Sequence, residues 1–158
     1  MANEQAIQQE LQGKYPYFDG KIKISRDRRL WAEVDSANFF EVFNYAVKKM
    51  NFTMLSLITG LDSGENLEFI YHLARHDGTM LNLKTFVPKT NPVHKAVMVD
   101  YFPGAELYER ELVDCFGAQI EGLPEGNRYP LPDGWPEGQY PLRKDWTADM
   151  LDRKPEEK

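Results

Sequence analysis

Two histidines, His72 and His76, stand four positions apart, the spacing at which a helix brings two imidazoles to one zinc ion. The residues around His72 alternate between apolar and polar, which predicts a strand. Four residues of a strand span roughly 13 Å, too far for two imidazoles to share a metal ion. We therefore expect a solvent-facing strand surface here and no metal site.

A second group, Glu109, Glu111 and Asp114, could supply a general acid and a general base. The segment is predicted to be helical, so Glu109 and Glu111 point to different faces and do not form a proton-sharing pair. Arg110 favours ionised carboxylates, and it can pair with Glu106 and Asp114, each four positions away. The pattern favours an ion-pair cluster that fastens the C-terminal segment or a neighbouring protein over a catalytic site.

The single cysteine, Cys115, lies among apolar neighbours, which favours a buried structural thiol over a nucleophile. One cysteine cannot form an internal disulfide or a cysteine-rich metal or cluster site, and it indicates a reducing compartment such as the cytoplasm. Gly134 and Gly138 flank Pro136 and lack the following Lys-Ser/Thr of a phosphate-binding loop. We therefore expect no catalytic residue, metal or cofactor in this chain, with a free-standing soluble enzyme that uses the acidic helix as the less favoured alternative.

Composition excludes several classes of protein. The chain has 158 residues with 19 Lys and Arg against 25 Asp and Glu, a net charge of −6 that argues against nucleic-acid binding. The longest uncharged stretch, residues 50–61, is shorter than the roughly 20 residues that a membrane-spanning helix needs. The first ten residues lack the charged-then-apolar order of a secretion signal.

The hydrophobic pattern predicts the elements in the order β-β-α-β-β-β, with a further helix over 105–116 and a short one over 2–11. Asp35 or Ser36 is expected to supply the N-cap oxygen of the first long helix, and Gly117 a left-handed residue that ends the last one. The mostly apolar run 52–61 is expected to be a central strand. The predicted fold is α+β, a mainly antiparallel sheet with helices packed on one face.

The composition changes at Gly117. Five prolines and four glycines lie between Gly122 and Pro141, so neither a helix nor a central strand can run through this stretch. We predict an α+β body over 1–117 and an extended arm over 118–158. The arm's large apolar side chains, and with them its cations, are expected to need the surface of another protein. These side chains are Tyr129, Leu131, Trp135, Tyr140, Leu142 and Trp146. The alternative is a proline-rich linker in solvent.

Two motifs carry a family resemblance: E-R-E-L-V-D-C-F-G over 109–117 and P-L-R-K-D over 141–145, with Pro124 and Arg128 between them. Together they resemble the signature of the 30-kDa subunit of respiratory complex I, the NADH-quinone oxidoreductase. The similarity is dense over about 100–146. Gly-Leu-Pro at 122–124 stands where the quinone-reducing branch has Gly-His-Pro, and Asn127-Arg128 where it often has paired arginines. The run 123–132 looks more like the homologous subunit of energy-converting, membrane-bound [NiFe] hydrogenases.

The resemblance implies a non-catalytic peripheral subunit of a membrane-bound, ion-translocating [NiFe] hydrogenase complex, on the cytoplasmic face of the membrane. Its implied partners are the catalytic large subunit, the small iron–sulfur subunit and, through the complex, the ion-translocating membrane subunits. The [NiFe] centre and the iron–sulfur clusters would lie in those partners. The alternative is the equivalent subunit of an NADH- or ferredoxin-quinone oxidoreductase.

Ten residues are the predicted interface. Four are cations expected to make buried contacts: Arg110, Arg128, Arg143 and Lys144. Four are carboxylates expected to pair with them or to fasten the arm: Glu109, Glu111, Asp114 and Asp145. Trp135 and Leu142 are the expected apolar anchors, since aromatic, charged and apolar groups together are typical of binding hot spots.

Overall fold

The computed structural model describes residues 2–94 and 101–151, so the last seven residues of the predicted arm lie outside it. Its helices are α1 (Ala2–Lys14), α2 (Ser36–Lys48) and α3 (Ala105–Phe116). Its strands are β1 (Ile22–Arg26), β2 (Arg29–Glu33), β3 (Met54–Asp62), β4 (Asn66–Ala74), β5 (Met80–Pro88), β6 (Val93–His94) and β7 (Gln119–Ile120). This order confirms the predicted α+β fold.

Five strands form one sheet in the order β1-β2-β5-β4-β3. All neighbours are antiparallel except β2 and β5, which run parallel, so the sheet is mainly antiparallel as expected. β3 was expected in the centre, and this was wrong: it is an edge strand, and β5 lies in the middle. A run of apolar residues does not reveal its neighbours, and here β5 returns between β2 and β4.

The helices and most of the buried side chains lie on one face of the sheet. Tyr71 of β4 contacts the rings of Phe39 and Phe43 on α2, with centroids 4.7 and 6.2 Å apart. Gly60 of β3 leaves room for Phe116 of α3, because a Cβ there would come within 2.5 Å of that ring. The core therefore lies between this face and the helices.

The helix ends differ in part from expectation. Asp35 is the N-cap of α2, but no side-chain oxygen caps the helix, and the Asn38 amide bonds the Asp35 carbonyl instead. Ser36 Oγ lies 3.3 Å from His94 Nδ1, so the predicted N-cap bond was wrong. Gly117 adopts φ 69° in the left-handed region and ends α3 as predicted.

His72 lies on β4, on the face of the sheet opposite Tyr71. Its Nδ1 is 2.6 Å from Asn82 Oδ1 and its Nε2 is 3.0 Å from Thr59 Oγ1, so both ring nitrogens have neighbours from adjacent strands. His76 follows in the turn before β5. Within residues 2–94 and 101–151, no three His, Cys, Asp or Glu side chains are grouped to hold a metal ion. Nor does any helix in these ranges have the length and apolarity to cross a bilayer.

Candidate protein interface

The side of helix α3 that faces the core carries both apolar and charged residues. Leu112, Cys115 and Phe116 are buried, and so is Glu109, with none of its surface exposed. The acidic-cluster prediction missed the burial of Glu109. The signal was present, since 109, 112 and 116 share one helical stripe. Burial, with Glu111 and Asp114 nearby, raises the pKa of Cys115 to about 11, which fits the predicted structural thiol.

Arg110 joins α3 to the first turn of the arm. Its Nη2 donates to Glu106 Oε1 at 2.7 Å and to the Pro124 carbonyl at 2.8 Å. The expected pair with Glu106 is therefore present. The expected pair between Arg110 and Asp114 is absent, because Asp114 pairs with Arg128 of the arm instead. The guanidinium also lies against Gly126, where a Cβ would collide with it.

Arg128 is the partner of Asp114. Its Nε donates to Asp114 Oδ1 at 3.3 Å, and its Nη1 donates to the Trp135 carbonyl at 2.6 Å. These groups help to line an open groove of about 570 Å³ between the end of α3 and the arm. The acidic helix therefore fastens the arm through Asp114, one of the two roles that the sequence suggested for the cluster.

Arg143 closes the C-terminal end of α3. Its Nε donates to the Phe116 carbonyl at 2.7 Å, and the guanidinium stacks 4.6 Å above the Tyr140 ring. The neighbouring Leu142 amide donates to the Cys115 carbonyl at 3.1 Å. Carbonyls of the last helical turn lack donors within the helix. The P-L-R-K-D motif supplies the missing donors.

Asp62, at the end of β3, binds the part of the arm that follows Arg143. Its Oδ2 accepts a hydrogen bond from Lys89 Nζ at 2.6 Å and another from the Lys144 amide at 2.8 Å. Lys89 also pairs with Asp145 at 3.1 Å. Burial raises the pKa of Asp62, but the bonds from Lys89 and from the Lys144 and Gly64 amides outweigh it and hold that pKa at about 2. Neither Asp62 nor Lys89 was singled out in the sequence, because they join the arm only through the fold.

The two tryptophans of the arm pack on each other. Trp135 and Trp146 have ring centroids 5.8 Å apart, and both indole N–H groups donate to Gln139. Gln139 in turn donates to the Met150 carbonyl at 2.8 Å. Trp135 therefore stabilises the fold of the arm itself, and it is also one of the predicted interface residues.

These contacts correct one expectation. The arm was expected to lack partners for its cations and rings, yet Arg128, Arg143 and both indoles bond within the chain. Extended segments hide such contacts in the sequence because many of their partners are backbone carbonyls. Exposed apolar surface remains at Leu142 and Tyr129, which are 50% and 43% exposed.

The remaining predicted interface residues lie on the surface of the arm or of α3. Lys144 and Asp145 are exposed beside the Asp62 contact, and Glu111 is half-buried on α3. Five of the ten predicted residues hold the arm to the body through their side chains: Arg110, Asp114, Arg128, Arg143 and Asp145. Leu142 and Lys144 do so through their backbone amides. The interface role of all ten stays a prediction.

Known proteins resemble this chain over most of its length. The model of a family described as respiratory-chain NADH dehydrogenase, 30 Kd subunit, matches residues 32–150. A subunit of the F(420)H(2) dehydrogenase of Methanosarcina mazei is 32% identical over 145 residues, covering 90% of each chain. The membrane-bound hydrogenase subunit beta of Pyrococcus furiosus is 27% identical over 151 residues, covering 92% of this chain and 87% of the relative.

A solved structure shares the fold. A chain of the membrane-bound sulfane sulfur reductase, an archaeal respiratory membrane complex, superposes with a TM-score of 0.80 and 30% identity. The superposition covers 94% of this chain and 88% of that one, so it includes arm as well as body.

Proposed function

Because the chain belongs to the 30 kDa subunit family of respiratory-chain NADH dehydrogenases, we propose that it is a non-catalytic peripheral subunit of a membrane-bound, ion-translocating [NiFe] hydrogenase complex. Its homologues are subunits of membrane-bound hydrogenase and of complex I-like assemblies. The hydrogenase assignment is supported by the similarity to the Pyrococcus furiosus hydrogenase subunit over 92% of the chain and by the Gly-Leu-Pro at 122–124.

One observation carries the proposal: the arm is fixed to α3 and β3 by its own hydrogen bonds and still exposes large apolar groups. The Leu142 amide bonds the Cys115 carbonyl, and the side chain of the next residue, Arg143, bonds the Phe116 carbonyl. The backbone at Leu142 is therefore fixed against the end of α3. A surface held in one conformation loses little entropy when it binds. The arm is therefore a preformed docking surface, with Leu142 near the end of α3 and Tyr129 near its start as apolar anchors, and with the exposed Lys144 two residues after Leu142.

The proposed partner of this surface is the catalytic large subunit, with the small iron–sulfur subunit next to it. The [NiFe] centre and the iron–sulfur clusters belong to those partners, and this chain contributes shape and binding energy. The protein lies on the cytoplasmic face and reaches the ion-translocating membrane subunits through the rest of the complex.

A second candidate function is the equivalent position in a quinone- or coenzyme-linked dehydrogenase related to complex I. The observation that favours it is the 32% identity to the F(420)H(2) dehydrogenase subunit of Methanosarcina mazei over 90% of both chains. The two candidates share the docking role and differ in the active centre of the partner.

Affinity purification of the tagged full chain from its native membranes tests both candidates. We expect a multi-subunit complex whose large subunit is identified by mass spectrometry, with bound nickel and hydrogen evolution from a reduced viologen dye. A complex without nickel that reduces a quinone would support the second candidate. Purification of the chain alone, with no large subunit, would contradict both.

A further inference from the structure

The face of the sheet opposite the helices carries a distinct surface. Trp31 of β2 pairs with Lys23 of β1, so both side chains lie on this face. Leu61 of β3 pairs with Glu68 of β4 and lies there too. Trp31 and Leu61 are 37% and 44% exposed. Between them lies a hollow of about 420 Å³ with Ile70 and the lysines Lys21, Lys23 and Lys84 in its lining.

The charge beside this hollow is opposite to that of the whole chain. Residues 21–29 hold five cations and one carboxylate, Asp27, in a protein of net charge −6. The cations are Lys21, Lys23, Arg26, Arg28 and Arg29. In the part of the chain that the structure describes, none of the five has a carboxylate within ion-pair distance. Of these, Lys21 and Lys23 line the hollow together with Trp31, and we call these three residues the cationic sheet face. The three arginines lie at the β1–β2 turn beyond the hollow, with Arg28 beside Glu4 and Asp77 on the side of α1.

The surface is held rigid from within. Arg29 Nη1 donates to the Arg28 carbonyl at 2.8 Å and to the Gly78 carbonyl at 3.0 Å, which ties the β1–β2 turn to the β4–β5 turn. The edge of Trp31 packs on His72, with ring centroids 6.4 Å apart. Lys84, at the floor of the hollow, already pairs with Glu33 and Glu68 at 3.2 and 3.4 Å. The unpaired positive charge at the rim of the hollow therefore lies on Lys21 and Lys23.

We propose that the cationic sheet face docks an acidic segment of a partner protein, with an apolar side chain of that segment in the hollow beside Trp31. The rim supplies charge complementarity, and the exposed indole and Leu61 supply the apolar contact that hot spots require. A nucleic acid fits less well, because its backbone carries a charge at every nucleotide and offers no apolar side chain for the hollow, which also contains Glu33 and Glu68.

This docking surface is separate from the arm. The arm contacts α3 and the end of β3 on the helical side, whereas the cationic sheet face lies on the other side of the sheet. The inference therefore does not depend on the proposed hydrogenase role, and its test uses the isolated full chain.

The test is a titration of the full chain against three fluorescent probes by anisotropy. The first probe is a short peptide of glutamates around one phenylalanine, the second has lysine in place of glutamate, and the third is an oligothymidylate of similar length. We expect the acidic peptide to bind best and to lose at least about tenfold in affinity when salt is raised from low to physiological, because rim charges are screened.

Matched double variants locate the site. Lys21→Glu with Lys23→Glu should weaken binding of the acidic peptide by about tenfold or more, since both charges at the rim are reversed. Lys48→Glu with Lys49→Glu makes the same change in net charge at the end of α2, on the helical side, and should alter it by less than about twofold. Equal effects of the two variants, no binding of the acidic peptide, or tighter binding of the basic peptide or the oligothymidylate would overturn the proposal.

Discussion

The Arg143 guanidinium donates through Nε to the Phe116 carbonyl at 2.7 Å and so joins the arm to the last turn of α3. The same group stacks on Tyr140, whose ring occupies the place where a side chain at Gly117 would lie. The helix end, its left-handed glycine and the P-L-R-K-D motif therefore form one structural unit. That unit explains why the two motifs occur together in the sequence.

Replacing Arg143 with alanine is expected to lower the free energy of unfolding by about 1 to 3 kcal/mol, because the Phe116 carbonyl loses its donor. The cost is smaller than that of breaking a buried ion pair, since the partner is a carbonyl. Urea denaturation of the full chain measures it. Arg143→Lys restores the charge but not the planar stack, so it should recover only part of the loss; full recovery would show that the stack on Tyr140 contributes nothing.

Asp62→Asn should cost about 1 to 2 kcal/mol near neutral pH, because Lys89 and the Lys144 amide lose a charged acceptor. Asp62 has a folded pKa of about 2 against an ordinary value of 3.8. Its contribution is therefore complete above pH 3.8 and is lost as the pH falls through about 2. Thermal unfolding of the wild type and the variant should converge in that acidic range. A difference that does not depend on pH would exclude the charge as its source.

The buried His94 predicts a second dependence of stability on pH, caused by a base that the folded state keeps neutral. Burial among Phe39, Phe69 and Tyr71 lowers its pKa from 6.5 to about 4, so the folded state holds it neutral. Between these values the unfolded chain binds a proton that the folded chain does not. Stability should fall by up to about 3 kcal/mol as the pH drops from 6.5 to about 4. In His94→Gln the slope over this range should flatten, whatever its absolute stability; an unchanged slope would assign the effect to other groups.

Gly60→Ala and Gly13→Ala form a matched pair. A Cβ at Gly60 would come within 2.5 Å of Phe116 and 2.8 Å of Leu112, so we expect α3 to move and stability to fall by about 1 to 3 kcal/mol. Gly13 lies in α1 with open space around it, and alanine there should stabilise by about 0.5 to 1 kcal/mol. Chemical denaturation compares them. Equal effects would mean that α3 does not pack tightly on β3.

The sequence was informative where a residue's own neighbours in the chain decide its structure. The alternation around His72 predicted the strand that became β4, and the hydrophobic pattern after Ser36 predicted helix α2. Sheet order was not predictable, because an apolar run such as β3 suits an edge as well as a centre. The arm's contacts were hidden for a related reason: Arg143 and Arg110 bond backbone carbonyls, which every residue has, so no side-chain pattern identifies the partner.

The central claim is that the arm is a preformed docking surface, and Leu142→Ser tests it most directly. Leu142 is 50% exposed, so the substitution should leave the unfolding free energy within about 0.5 kcal/mol of wild type. Phe40→Ser, at a residue 42% exposed on α2, is the control.

The measurement is the amount of large subunit that co-purifies with each tagged, full-length variant from native membranes. The account predicts that Leu142→Ser folds normally but retains little or none of the large subunit, while Phe40→Ser retains it. Co-purification of a normal amount of large subunit with Leu142→Ser would contradict the account.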